Sequence, residues 1–453
     1  MGTTGAGKGG ARPPRSLFGH PAGLTVLFTT QMWAEFSFFG LQALLVYYMT
    51  KQLHFSQAQS SLIYGAYGAA AFFSPFFGGL IADRWLGRTK SVVIGGAMMM
   101  VGHFAMAFPP LLFPALVFVA LGNGLFIPPL AIQVGSLYAD DDTRKAYAYS
   151  AYYMGINLGG LLAPLVCGSL GELYGWHWGF TAAGIGMGIG LLIYCSFLRF
   201  LPPEPSRTAV MEEEKPGAAP AIRQHVAILF LMIAMVVLFR VGYEQSGDVI
   251  ALWVADFTDR SLSLFGVPVT IPATWFQSIN PLLIIIGTPL LIHFWKRRNV
   301  EETVSNLLRR MAAGCLIATV AMLVMVAAAM ASGPSGARVS ALWVFAYFAL
   351  LTLGELFVIP VGLTLVESLA PIRFASMAMG SWYIAKFLGS LLAGVMGAYW
   401  LKIPPSAFFS LGCVSTLLAS ICLFSMARVT ANVPLSAMAG DRHSAVTAKR
   451  EPQ

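Results

Sequence analysis

The stretch QMWAEFSFFGLQALLVYY, Gln31 to Tyr48, lies inside a long apolar run and still carries an ionisable side chain, Glu35. A carboxylate near the centre of a bilayer-spanning helix costs roughly 2.5–3.5 kcal/mol on insertion scales, so it normally faces a partner, a cavity or a substrate path. Gln31, Glu35 and Gln42 are four and seven residues apart, which at about 3.6 residues per turn sets all three on one helical face. One side of this helix is therefore polar. It is either a polar contact inside a helix bundle or one wall of a transport cavity.

Composition sets the class around that helix. Of the 453 residues, 57% are hydrophobic and 11% charged, and the mean hydropathy is +0.71, values of an integral membrane protein in a lipid bilayer. The net charge of +8 does not indicate a nucleic-acid partner, because the basic residues lie in short loops between apolar runs. Cys167, Cys195, Cys315, Cys413 and Cys422 stand singly in apolar segments, so neither a disulfide framework nor a metal site is expected, and they are taken as small core residues. No cofactor is implied.

A spanning helix needs about 20 mostly apolar residues. Twelve runs qualify: Gly23–Met49, Gln59–Ala82, Ser91–Phe108, Phe113–Tyr138, Tyr147–Leu170, Trp178–Phe200, His225–Phe257, Ile271–Trp295, Leu308–Ala331, Ala341–Leu369, Ala375–Leu401 and Ser406–Ala427. The proline- and charge-rich stretch Leu201–Gln224 cannot span and divides them six and six. The expected organisation is a tail (1–22), a six-helix half (23–200), a linker (201–224), a second six-helix half (225–429) and a polar, disordered tail (430–453). This all-α, two-halved layout predicts a small-molecule substrate bound between the halves near the midplane, with access alternating as one half rocks against the other. The N-terminal tail lacks the apolar core and cleavage site of a signal peptide.

Loops after even-numbered helices hold fifteen Lys and Arg residues; those after odd-numbered helices hold four, Lys51, Arg260, Arg338 and Lys402. That asymmetry predicts cytoplasmic even loops, linker and termini, in a bacterial inner membrane. Away from the span ends, Arg240 and Lys386 are the two basic residues inside predicted spans, where Glu35, Glu244, Asp248 and Glu355 are the acids at membrane depth. Buried charges want counter-charges. Arg240, Glu244 and Asp248 follow at intervals of four, so Arg240 is expected to pair within its helix while facing Glu35 or Glu355, and Lys386 to pair with Glu355 or Asp248. Static pairs that fix helix register are the plain alternative.

GGLIADRWLGRTK, Gly78 to Lys90, joins the second and third helices with a glycine-rich helix end, Asp83, a turn glycine, and Arg84 and Arg88. Such a loop ties helix ends together by charge and helix dipole. It resembles the loop signature of the major facilitator superfamily and, as IAD-x-WLGR, that of the proton-coupled oligopeptide transporter family. AYYMGINLGGLLAP (Ala151–Pro164), YEQSG (Tyr243–Gly247), FQSINP (Phe276–Pro281) and LTLGELFVIPVGL (Leu351–Leu363) are similar to that family's motifs in the fifth, seventh, eighth and tenth helices. The resemblance sets the fifth-helix motif's asparagine at Asn157 and implies peptide contact at Asn280 and Glu355.

Departures fall where the family's chemistry lies. Its first-helix pattern E-x-x-E-R-F-x-Y-Y is matched here by Gln31 through Phe39: both acids are gone, Glu35 holds the arginine position, and Phe38 and Phe39 replace tyrosines. Ile127 stands where the family has a fourth-helix lysine, and Arg240 where it has a tryptophan. A cleft for a zwitterion needs an anion for the ammonium and a cation for the carboxylate, held apart by amides and aromatics. Glu355 suits the first role and Arg240 or Lys386 the second. Asn157, Gln277 and Asn280 supply amides, and Phe38, Phe39, Phe72, Trp275 and Trp382 supply apolar walls. Proton coupling, if present, falls to Glu35, Glu244 and Asp248 with Arg240.

The leading expectation is a secondary transporter of short peptides or peptide-like zwitterions. The alternatives are an uncoupled facilitator or exporter of another metabolite on the same fold, and a non-transporting sensor. No nucleophile–base pair or phosphate-cradling loop suggests an enzyme.

Overall fold

The computed structural model describes residues 16–17, 19–139, 142, 144–204, 219–264, 267–298, 303–333, 335–369 and 375–431. The expected disordered C-terminal tail, most of the N-terminal tail and the middle of the linker lie outside the described residues.

The first six helices are Ala22–Tyr47, Gln57–Ile81, Arg88–Ala105, Leu112–Ser136, Arg144–Ala163 and Trp176–Ser196. The other six are Ala219–Tyr243, Ile279–Arg298, Val304–Ser332, Ala341–Leu369, Ala375–Gly397 and Pro405–Val429. Among the described residues, ten helical stretches are long and apolar enough to cross a membrane, and the first and third helices bring the set to twelve. Local chemistry places several starts. Ser56 and Gln59 form a capping box before the second helix, and the Thr303 side chain accepts from Asn306 N before the ninth. Gly87 (φ 79°) and Gly175 (φ 121°) turn the chain into the third and sixth helices through left-handed backbone that glycine adopts most readily.

Two helices are broken where a continuous span is expected. The fifth passes through a wide turn, Pro164–Gly168, into Ser169–Tyr174. The seventh passes through a tight turn, Glu244–Gly247, into Val249–Phe257. The membrane part is all-α as expected, with short strand pairs added in the loops, including the hairpin of Ser261–Leu264 with Val267–Thr270. Cys195 is exposed rather than a core residue.

The halves are built alike. In the first, a Cβ at Gly95 of the third helix would stand 2.6 Å from the Gly122 carbonyl of the fourth. In the second, a Cβ at Gly314 of the ninth would stand 2.6 Å from the Gly354 carbonyl of the tenth. Without a hydrophobic drive between helices in lipid, such close small-residue contacts supply the packing. The halves meet through the second helix on the eleventh and the fifth on the eighth, contacts that exchange when the halves are swapped.

Candidate functional site

A cavity of about 380 Å³ lies between the halves. Its lining draws on helices of both, from Gln31, Glu35 and Gln42 of the first to Tyr383 and Lys386 of the eleventh. The volume falls at the low end of the usual range for small-molecule sites.

Two hydrogen bonds organise Glu355. Asn280 Nδ2 donates to its Oε2 at 2.8 Å, and the Tyr243 hydroxyl donates to the same oxygen at 3.1 Å. Asn280 is itself set by Thr352 Oγ1 at 3.0 Å. The carboxylate is thus fixed by neutral donors, with Oε1 free of any bond among the described residues. Arg240 Nη1 stands 3.4 Å from Glu244 Oε1, the i, i+4 pair expected from the sequence, and its guanidinium lies 5.1 Å from the centroid of the same Tyr243 ring. Lys386 Nζ lies 4.8 Å from the centroid of Phe72. It sits in the field of Arg240, Glu244, Glu35 and Glu355 without reaching ion-pair distance of any carboxylate among the described residues.

Glu35 has a separate setting. Gln31 Nε2 donates to its Oε1 at 2.6 Å, and Tyr152 donates to Gln31 Oε1 at 2.8 Å. Gln31, Glu35 and Gln42 all line the cavity, as the polar-face reading expects. Glu35 and Arg240 line the same cavity, and no ion pair joins them among the described residues.

Asn157, Gln277, Asn280, Phe38, Phe39 and Phe72 are in the lining, and Gln277 Nε2 is buried without a partner. Three expected members are elsewhere. Trp382 is buried against the tenth helix, where a Cβ at Gly362 would collide with its ring, and does not line the cavity. Trp275 is largely exposed and donates from Nε1 to Ser169 Oγ at 2.8 Å. Asp248 accepts from Ser61 Oγ at 2.8 Å, well away from Arg240 and Lys386, because the tight turn before it changes the helical phase. In place of the first-helix tyrosines, Tyr64, Tyr152, Tyr153, Tyr243 and Tyr383 line the cavity.

The end away from the termini is sealed. Tyr47 donates to Ala251 O at 2.7 Å, and Gln57 Nε2 donates to Gly397 O at 2.8 Å. Glu172 accepts from the backbone N–H of Ala273 (3.0 Å) and Thr274 (2.8 Å) and from the Thr274 hydroxyl (2.7 Å), with Arg260 at 3.7 Å. At the other end Asp83 and Arg84 are exposed in the turn Ala82–Leu86, and Arg88 Nη1 donates to Ser136 Oγ at 3.1 Å. The loop is tied from the linker, where Glu204 accepts from Arg88 N at 3.1 Å and Thr89 N at 2.7 Å.

The sequence pattern of the family described as Major Facilitator Superfamily matches residues 27–394. The peptide transporter YePEPT of Yersinia enterocolitica is 31% identical over 460 residues, covering 85% of this chain and 89% of its own. The di-/tripeptide transporter of Lactococcus lactis subsp. cremoris is 30% identical over 440 residues, covering 82% and 88%. The crystal structure of a peptide transporter POT in complex with sulfate aligns over 92% of this chain and 96% of its own, with a TM-score of 0.83 and 27% identity.

Proposed function

Because this chain belongs to the major facilitator superfamily, and within it to the proton-coupled oligopeptide transporter family, we propose that it carries di- and tripeptides or similar zwitterions across the membrane by alternating access, coupled to protons. The observation that carries this reading is Glu355, held by Asn280 and Tyr243 inside a cavity whose cations are Arg240 and Lys386. The substrate ammonium goes to Glu355. Its carboxylate goes to Arg240 and Lys386, while Asn157 and Gln277 take the peptide amide. The fifteen-to-four loop count supports cytoplasmic termini in a bacterial inner membrane.

Coupling rests on the Arg240–Glu244 pair. An acid beside a cation stays ionised, and one released into an apolar cleft takes a proton more readily. Substrate carboxylate at Arg240 competes with Glu244 and frees it to protonate. Of the three acids expected to serve coupling, Glu244 alone has the geometry for this exchange.

Glu355→Gln keeps size and removes charge, and is expected to weaken dialanine binding by about 1.5–3 kcal/mol, the scale of a charge-assisted hydrogen bond. Calorimetry on the purified carrier reads it. Unchanged affinity excludes Glu355 from substrate contact.

A further inference from the structure

Among the described residues the cavity is lined by three carboxylates, Glu35, Glu244 and Glu355, against two cations, Arg240 and Lys386. A zwitterionic dipeptide is neutral and satisfies one end of each sign. One negative charge is left over. Arg240 is engaged by Glu244 and Glu355 faces the substrate ammonium, so the surplus sits at Glu35, which is 9% exposed.

Glu35 is built as a receptor. Its Oε1 is taken by Gln31, which Tyr152 holds in turn, and its Oε2 has no donor among the described residues. Tyr67, Tyr152 and Tyr383 all stand within electrostatic reach of the carboxylate. The Tyr67 hydroxyl is buried without a partner. A carboxylate oxygen without a donor, in a cavity that Tyr152 and Tyr383 also line, suits an ammonium or guanidinium, which gains a charge-assisted hydrogen bond there.

We propose that Glu35, with Gln31 and the lining residues Tyr152 and Tyr383, forms a subsite for a cationic side chain of the transported peptide. The proposal rests on the peptide-transport reading and extends it: among dipeptides, this carrier favours those bearing lysine or arginine. While Glu244 keeps its charge, a peptide of net charge +1 brings the cavity to neutrality; once Glu244 takes a proton, a neutral one does. The rival occupant of Glu35 is a proton.

The test is inhibition of labelled dialanine uptake in proteoliposomes by alanyl-lysine, unlabelled dialanine and alanyl-glutamate, for wild type, Glu35→Gln and Glu35→Asp. Wild type is expected to prefer alanyl-lysine over dialanine by about tenfold or more, the effect of one charge-assisted hydrogen bond. Glu35→Gln is expected to erase that ratio and to improve alanyl-glutamate relative to dialanine, a gain that misfolding does not produce. Glu35→Asp, which keeps the charge, retains the preference. A wild type without the preference, or a ratio unchanged in Glu35→Gln, overturns the proposal even when dialanine is carried. Loss of proton-driven accumulation of all three peptides with the ratio intact makes Glu35 a proton site and overturns it equally. If wild type carries no dialanine, the peptide-transport reading itself fails.

Discussion

The two ends of this bundle are held in opposite ways. At the end away from the termini the halves meet almost at backbone distance: a Cβ at Gly65 of the second helix would stand 2.7 Å from Gly394 Cα of the eleventh, and Glu172 of one half caps backbone N–H groups of the other. At the end bearing the termini, no hydrogen bond between described residues joins the halves. There Glu204 binds its own half instead. Among the described residues, the hydrogen bonds that tie the halves therefore gather at mid-depth and at the end away from the termini. Alternating access then requires the sealed end to open, so its contacts must be strong enough to close and weak enough to be exchanged for others.

The largest expected effect comes from wedging that seal. Gly65→Leu puts a branched side chain against Gly394 Cα and the Ser390 carbonyl, where a single methyl already collides. Overpacking of this kind costs about 3 kcal/mol or more in the sealed state, a shift of roughly 100-fold in its population. Transport is expected to collapse, with a cysteine placed in the cavity becoming reactive from the far side. Unaltered reactivity would mean that helices two and eleven do not form the seal.

Next is Glu172→Gln, which removes charge from a carboxylate bound by two backbone N–H groups, a hydroxyl and Arg260. A loss of about 1.5–3 kcal/mol is expected in the sealed state only. The same cysteine accessibility reads it, between wild type and Gly65→Leu.

A smaller effect belongs to Glu204. Partial burial opposes its charge, but the amides of Thr89 and Arg88 outweigh it and hold the carboxyl below the ordinary range. Since the folded value is the lower one, its contribution is present above the ordinary carboxylate pKa of about 4 and is lost as pH falls through the folded value. Glu204→Ala should cost about 1 kcal/mol at the start of the third helix. It is seen as faster amide exchange at Arg88 and Thr89 at neutral pH, with the difference from wild type vanishing in acid. The smallest change is Lys51→Ala, whose pair with Asp256 at 3.3 Å leaves the two side chains 45% and 53% exposed. Less than about 1 kcal/mol is expected, and transport rates should hardly move.

Much of the fold was legible because each span must satisfy its own backbone and bury an apolar surface in lipid. The tenth helix runs Ala341–Leu369 in both readings. Asn280 and Glu355 were found through motifs, and their hydrogen bond joins two helices 75 residues apart in sequence. The breaks were not legible. Spacing by four put Asp248 on the face of Arg240 and Glu244, but the turn Glu244–Gly247 winds at about three residues per turn, and Asp248 leaves it at φ −110°, ψ −94° to face Ser61. Nor does composition say which face of an apolar helix is central. Trp382 and Lys386 are four apart on the eleventh helix, yet one packs on Gly362 and the other lines the cavity. The hydroxyls absent at Phe38 and Phe39 are replaced by tyrosines on other cavity helices, and of these Tyr152 and Tyr153 stand within AYYMGINLGGLLAP.

The central claim is proton-coupled peptide transport through the cavity between the halves, and labelled dialanine uptake into proteoliposomes under an imposed inward proton gradient tests it most directly. Wild type is expected to accumulate dialanine above equilibrium, whereas Glu244→Gln equilibrates it by counterflow without accumulating it. Accumulation undiminished in Glu244→Gln would move coupling away from the Arg240–Glu244 pair, and no wild-type uptake above that of protein-free liposomes would contradict the claim outright.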